Sequence, residues 1–212
     1  FLPGMSILAA QGKRAAATRM FNAASLTFTV TGYAGVLAMA GVQDWLVGIL
    51  FPAEYASALP VLGLVLAAGV INVQAGIAGL SLVSMERPKI ITAVNVVAAC
   101  ISLGLNAFLI PVMGIVGAGV AAVAAASFTN LAQVWFLTRI GLPISWPRYA
   151  ALHLLFAAAL AVTTWCEPGV VTLTIPFLYL AACFAFGILR KADLAQLIWQ
   201  DRDHESEQEP HQ

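Results

Sequence analysis

Between its charges the chain is a succession of long apolar runs, rich in alanine and without the alternation of a half-buried strand, so helices are the expected elements. A helix needs about 20 predominantly apolar residues to cross about 30 Å of hydrocarbon. Six stretches reach that length. The first, near 22–41, lies between Arg19 and Asp44, and the second, near 58–84, fills the uncharged run from Tyr55 to Met85. After Glu86-Arg87-Pro88-Lys89 no charge occurs from Ile90 to Thr138, a run too long for one span. Pro111 and Gly114 are expected to divide it into 90–110 and 115–138, because proline removes a backbone donor and glycine loosens a helix. A connector containing Pro143 and Pro147 leads to a fifth span near 148–165, and Cys166-Glu167-Pro168-Gly169 to a sixth near 170–189. Pro60 and Pro176 fall at or inside spans and are expected to kink them, as neighbouring groups in membrane helices permit.

Composition narrows the class. Of the 212 residues, 61% are apolar and 9% charged, against about 25% charged in an average soluble domain. Six of the ten acids lie beyond residue 190, which leaves Phe1 to Leu189 nearly chargeless. A soluble globular enzyme, a disordered chain and a nucleic-acid binder are thereby excluded, and an all-α polytopic membrane protein is expected. Residues 1–21 read as the end of a preceding helix and a basic cytoplasmic connector, and 22–190 as the transmembrane domain. Residues 191–212 read as an interfacial helix, with Leu194, Leu197, Ile198 and Trp199 mostly on one face, followed by an acidic tail. A helix extension that frays into that tail explains the same residues. The chain starts at Phe1 with neither an initiator Met nor a basic signal region, and is read as a fragment whose N-terminal part is missing.

Charge then sets an orientation. With six spans, all ten Lys and Arg fall on one side: Lys13, Arg14 and Arg19; Arg87 and Lys89; Arg139 and Arg148; Arg190, Lys191 and Arg202. Asp44, Glu54 and Glu167 fall on the other. The positive-inside rule places both ends in the cytoplasm. Trp45 and Trp165 at the outer boundary and Trp135 and Trp146 at the inner one fit headgroup-level anchors.

Candidate chemistry is sparse. No Asp, Glu, Lys, Arg or His occupies the middle of a predicted span. His153, near the start of the fifth span, reads more readily as an ordinary interfacial histidine than as a functional one. Cys100, Cys166 and Cys183 lack metal-ligand spacing, and Gly114–Gly119 lacks the spacing and context of a dinucleotide loop. No enzyme, cofactor or metal is expected. The informative residues are amides and hydroxyls at helical spacing. Thr92, Asn95, Ala99, Ser102 and Asn106 make one stripe, and Gly69, Asn72, Gly76 and Gly79 make another, with Gln74 to the side. Ala126, Asn130 and Gln133 make a third, and Thr27, Thr31 and Gly35 a fourth. Such stripes either pack against neighbouring helices or line an aqueous cavity. The cavity-lining candidates are Asn72, Asn95, Ser102, Asn106, Asn130 and Gln133.

These residues also carry a resemblance. Glu54-Tyr55 with Ala58 opens a long span, and the short basic turn Arg87-Pro88-Lys89 follows it. Then come Asn106, Leu109-Ile110-Pro111, Gly114-Ile115 and Gly117-Ala118. With Leu2-Pro3, Ser6 and Gly12 before the first span, roughly residues 1–140 resemble the C-terminal half of oligosaccharide (O-antigen-type) flippases. That family of bacterial polysaccharide export proteins belongs to the MATE-like multidrug/oligosaccharidyl-lipid/polysaccharide transporter superfamily. The last two spans and the tail match only as generic apolar helices. The resemblance implies that the six transmembrane helices are most of the C-terminal lobe of a two-lobed transporter that rocks to expose a central cavity to each side in turn. It implies an undecaprenyl-type lipid-linked oligosaccharide as substrate, the bilayer and the missing N-terminal lobe as partners, and the bacterial inner membrane as location. The charged cavity residues typical of such flippases have no matching positions here, so no ion-coupling residue is carried over. Two other readings remain: a cation-coupled multidrug antiporter of the same fold, which calls for an acidic residue in a cavity-lining helix, and a membrane scaffold subunit with no transport cycle.

Overall fold

A computed structural model of the chain describes residues 1–165 and 170–189. Among them every regular element is helical: α1 (Leu2–Ala10), α2 (Arg14–Leu50), α3 (Leu59–Ser84), α4 (Pro88–Met113), α5 (Ile115–Ile140), α6 (Trp146–Trp165) and α7 (Val170–Ala185), with a single 3₁₀ segment at Ala53–Ala58. Four of these, α2 to α5, are long and apolar enough to cross a membrane. The expected fifth and sixth spans correspond to α6 and α7, whose 20 and 16 residues extend about 30 and about 24 Å. The expected interfacial helix and acidic tail, together with Glu167, Arg190, Lys191 and Arg202, lie outside the described residues.

Element ends show what charge-based reading misplaces. The helix expected at 22–41 is 37 residues long and begins at Arg14, so the connector before it is confined to a few residues around Gly12. Charge ends the stretch that lipid tolerates, but it does not end a helix: Asp44 is simply exposed on α2. The helix stops where Pro52 forces the preceding Phe51 into extended backbone (φ −129°, ψ 150°). The division expected at Pro111 also moves. α4 continues through Pro111 to Met113, and the turn is made by Gly114 alone, at φ 59° and ψ −138°, a conformation closed to side chains with a Cβ. Pro60 makes no kink. It occupies the first turn of α3, where its missing N–H would have had no partner.

The helices run up and down. α1, α3, α5 and α7 all end at one face of the bundle, and each ends in the same way: a residue in the left-handed region follows the helix, and paired backbone bonds close the last turn. Gly12, Gly141 and Gly187 supply that residue after α1, α5 and α7, whereas Glu86 supplies it after α3 with φ 59°. The same face holds the starts of α2, α4 and α6. Contacts tie it together: the Arg14 guanidinium lies beside Gly141, the Tyr149 hydroxyl donates to Asn22 Oδ1 at 3.3 Å, and Arg148 donates to the Ile188 carbonyl at 2.6 Å. The seven Lys and Arg among the described residues, Lys13, Arg14, Arg19, Arg87, Lys89, Arg139 and Arg148, therefore gather at one end of the bundle. Asp44 and Glu54 lie towards the other end.

Across the bundle the order is α4, α5, α3, α2, with α6 and α7 against α2. The α3–α5 contact is the most extensive. Lipid offers no hydrophobic drive for helices to associate, so close approach through small residues carries the packing. Gly119 of α5 lies against Leu64 and Val61, and Gly32 of α2 so close to Val70 that an added Cβ would sit 2.9 Å from its methyls. α4 is peripheral: in its most apolar stretch only 6% of residues are buried, and Leu103, Phe108 and Val112 are more than two-thirds exposed. Such a surface suits lipid or another protein surface and is unsuited to water. α6 follows α5 in sequence but packs on α2 and α7 instead.

Candidate functional site

The amide and hydroxyl stripes are divided between two places. The first is a groove of about 460 Å³ between α3, α4 and α5, lined by Asn72, Gly76 and Gly79 of α3, Asn95 of α4, and Thr129 and Gln133 of α5, with Ala75, Leu80, Val83 and Ile91 filling its walls. The 3.6-residue repeat places Asn72, Gly76 and Gly79 on one face of α3. The missing side chains of the two glycines leave the groove its room, and a Cβ on Gly79 would meet Gln133 Oε1 at 3.2 Å. Asn72 and Asn95 are exposed to the groove, whereas Gln133 is 3% exposed and its Oε1 has no hydrogen-bond partner. Thr129 reaches back to the Ala125 carbonyl at 3.0 Å.

The groove thus gathers three of the sequence candidates, Asn72, Asn95 and Gln133, from three helices. Thr129 was not singled out from the sequence, although it stands four residues before Gln133 and so shares its face. Ser102 and Asn106 are not in the groove. They lie further along α4, half-buried, with the Asn106 amide donating to the Ser102 carbonyl at 2.8 Å and to its hydroxyl at 3.3 Å. The Asn106 Nδ2 group is thereby engaged within its own helix.

Asn130 belongs to the second place. Although three residues from Gln133, it turns to the other side of the α3–α5 seam, where its Nδ2 donates to Gln74 Oε1 at 2.6 Å. Gln74, set to the side of its stripe in the sequence, is completely buried as Asn130's partner. Gln74 Nε2 and Asn130 Oδ1 remain without partners. His153 is half-buried near the start of α6, and its Nδ1 lies 2.8 Å from the Tyr33 hydroxyl of α2. Cross-helix pairs of this kind leave no trace in spacing along either helix. Thr31 and Gly35 of the fourth stripe are exposed on α2.

Chemically, the groove presents neutral amides and a hydroxyl, and no acid, base or thiol lines it. Such a wall exchanges hydrogen bonds with hydroxyl- or amide-bearing molecules and supplies neither a nucleophile nor a general acid. Among the described residues no group of His, Cys, Asp or Glu is arranged to hold a metal ion. Comparison of the chain with protein-family models, with curated proteins and with solved structures finds no match.

Proposed function

We propose that the chain forms six spans making up most of the C-terminal lobe of a two-lobed, alternating-access transporter that moves lipid-linked oligosaccharide across a bacterial inner membrane for surface polysaccharide assembly. The observation that carries this reading is the α3–α4–α5 groove, where Asn72, Asn95, Thr129 and Gln133 bring amides and a hydroxyl together on three helices that are each apolar enough to span a bilayer. Polar side chains at such depth are costly unless they meet partners or water, and a sugar head supplies both donors and acceptors. In this reading the groove faces the cavity shared with the other lobe, and the polyprenyl chain stays in lipid. Gathered cations at one end of the bundle support an orientation with both termini in the cytoplasm. The cation-coupled drug antiporter calls for an acidic residue in the cavity wall, and the groove lining contains none.

The test uses the full-length protein in inverted membrane vesicles. Single cysteines at Asn72 and Asn95 are expected to react with a membrane-impermeant thiol reagent and to be protected by an undecaprenyl-linked oligosaccharide. The double substitution Asn72→Leu/Asn95→Leu is expected to lower glycolipid translocation by about tenfold, the loss of one or two hydrogen bonds, at unchanged membrane abundance. Uniform inaccessibility of both positions, or full translocation by the double variant, overturns the proposal.

A further inference from the structure

A second cavity lies on the opposite side of the α3–α5 seam from the groove. It has a volume of about 400 Å³ between α2, α3, α5 and α6, and its lining includes Tyr33, Ser127, Asn130, His153 and Phe156. A further space of about 280 Å³, lined by Asn130, His153, Trp146, Pro147 and Tyr149 among others, continues from it towards the cationic end of the bundle. His153, Asn130 and Leu131 line both, so His153 stands where the two spaces meet. The Tyr33 ring is stacked on Phe156, with centroids 3.7 Å apart and planes 7° from parallel, and this stack holds its hydroxyl against His153 Nδ1.

We propose that the Tyr33–His153 pair is a proton-binding site that couples protonation to the opening of the seam between α5 and α6. The inference rests on reading the chain as a transporter lobe, and it does not choose the substrate. Histidine is the side chain whose ordinary titration falls between about pH 5 and pH 8. The groups that face it are limited. From α2 comes Tyr33, and from α7 Tyr179 stands near that tyrosine, with Cys183 beside Tyr179. α3 and α5 contribute no titratable group to either cavity, and on α6 Tyr149 is engaged with Asn22. No Asp, Glu, Lys or Arg lines the two spaces, so no counter-charge awaits an imidazolium there.

Protonation has a defined consequence whichever tautomer is the neutral one. Imidazolium carries a proton on both nitrogens, so Nδ1–H must donate to the Tyr33 oxygen. The Tyr33 hydroxyl proton and the Nε2 proton then both need acceptors. Asn130, whose buried Oδ1 has no partner, and Ser127 line the same cavity. An uncompensated charge in an apolar enclosure is costly, and admitting water relieves it. α6 is the element that can yield, because it packs on α2 and α7 and has little contact with α5. The proton taken up comes from water through the space beside Trp146 and returns by the same path when the seam recloses.

The experiment measures seam opening and transport separately, on the full-length protein in nanodiscs and in proteoliposomes. Spin labels at Thr138→Cys and Ala151→Cys, in a background without native cysteines, report the α5–α6 distance at pH 8 and at pH 5. The expected result is a longer distance at pH 5 that disappears in His153→Gln, which keeps a hydrogen-bonding side chain but does not titrate. Tyr33→Phe, which retains the ring stack, is expected to move the midpoint of the change without abolishing it. A distance that is the same at both pH values, or a pH response that survives in His153→Gln, overturns the coupling site. In proteoliposomes, glycolipid translocation that runs at the same rate at pH 5 and at pH 8 overturns the site and leaves the transporter reading standing. A seam that opens with pH in a protein that translocates no glycolipid supports the site and counts against that reading.

Discussion

At the scale of single residues, the α3–α5 seam is held by polar groups that are only partly matched. Asn130 and Gln74 share one hydrogen bond and leave one donor and one acceptor unused, both buried. Replacing only Asn130 with Leu would leave Gln74 wholly unpaired in an apolar setting, at a cost of about 1–3 kcal/mol. Replacing both removes the need for a partner. A double-mutant cycle of Gln74→Leu and Asn130→Leu, followed by thermal unfolding in detergent, is therefore expected to show the double variant more stable than the sum of the singles by about 1 kcal/mol. Strict additivity would mean that the bond contributes nothing. The amides themselves were visible in the sequence at helical spacing. Their partners were not, because a period along one helix says which residues share a face and nothing of what a second helix brings to that face.

At the scale of elements, two turns make opposite demands on the same property. Glu86 occupies the left-handed position that closes α3, where the other three helices ending at that face have glycine. Glu86→Gly is expected to raise stability by about 0.5–1 kcal/mol through relief of that backbone conformation. Gly114→Ala is expected to lower it by about 1–3 kcal/mol, since φ 59° with ψ −138° excludes a Cβ. A shared melting assay checks both signs, and a destabilised Glu86→Gly would show that the carboxylate has a role outweighing the strain. Gly117 adds to the precision of this hairpin: a Cβ there would strike the Leu109 carbonyl. Helical periodicity made the elements legible, and Pro111 and Gly114 correctly marked the neighbourhood of a break. Which of the two made the break was settled by backbone geometry: Pro111 costs α4 the one bond its N–H would have made to the Ala107 carbonyl and the helix continues past it, whereas the φ and ψ of Gly114 end it.

At the scale of the molecule, the up-and-down order converts a scattered set of charges into one cationic end. Under the positive-inside rule this yields a topology with a direct check. Reporter fusions made after Glu86 and after Leu142 are expected to behave as cytoplasmic, and a fusion after Phe51 as external. Any one of these reversed would break the proposed orientation. Length, composition and the even spacing of basic turns determined from sequence alone that the chain is helical, apolar and suited to a bilayer, because burying a backbone in lipid leaves little choice but to form helices. The tertiary structure decided the rest. It joined Asn72, Asn95 and Gln133 across three helices, separated Asn130 from them, and brought His153 to Tyr33 across 120 residues of chain. Those outcomes depend on how far each helix is rotated about its axis and how closely glycines let it approach its neighbours, quantities that arise only when helices meet.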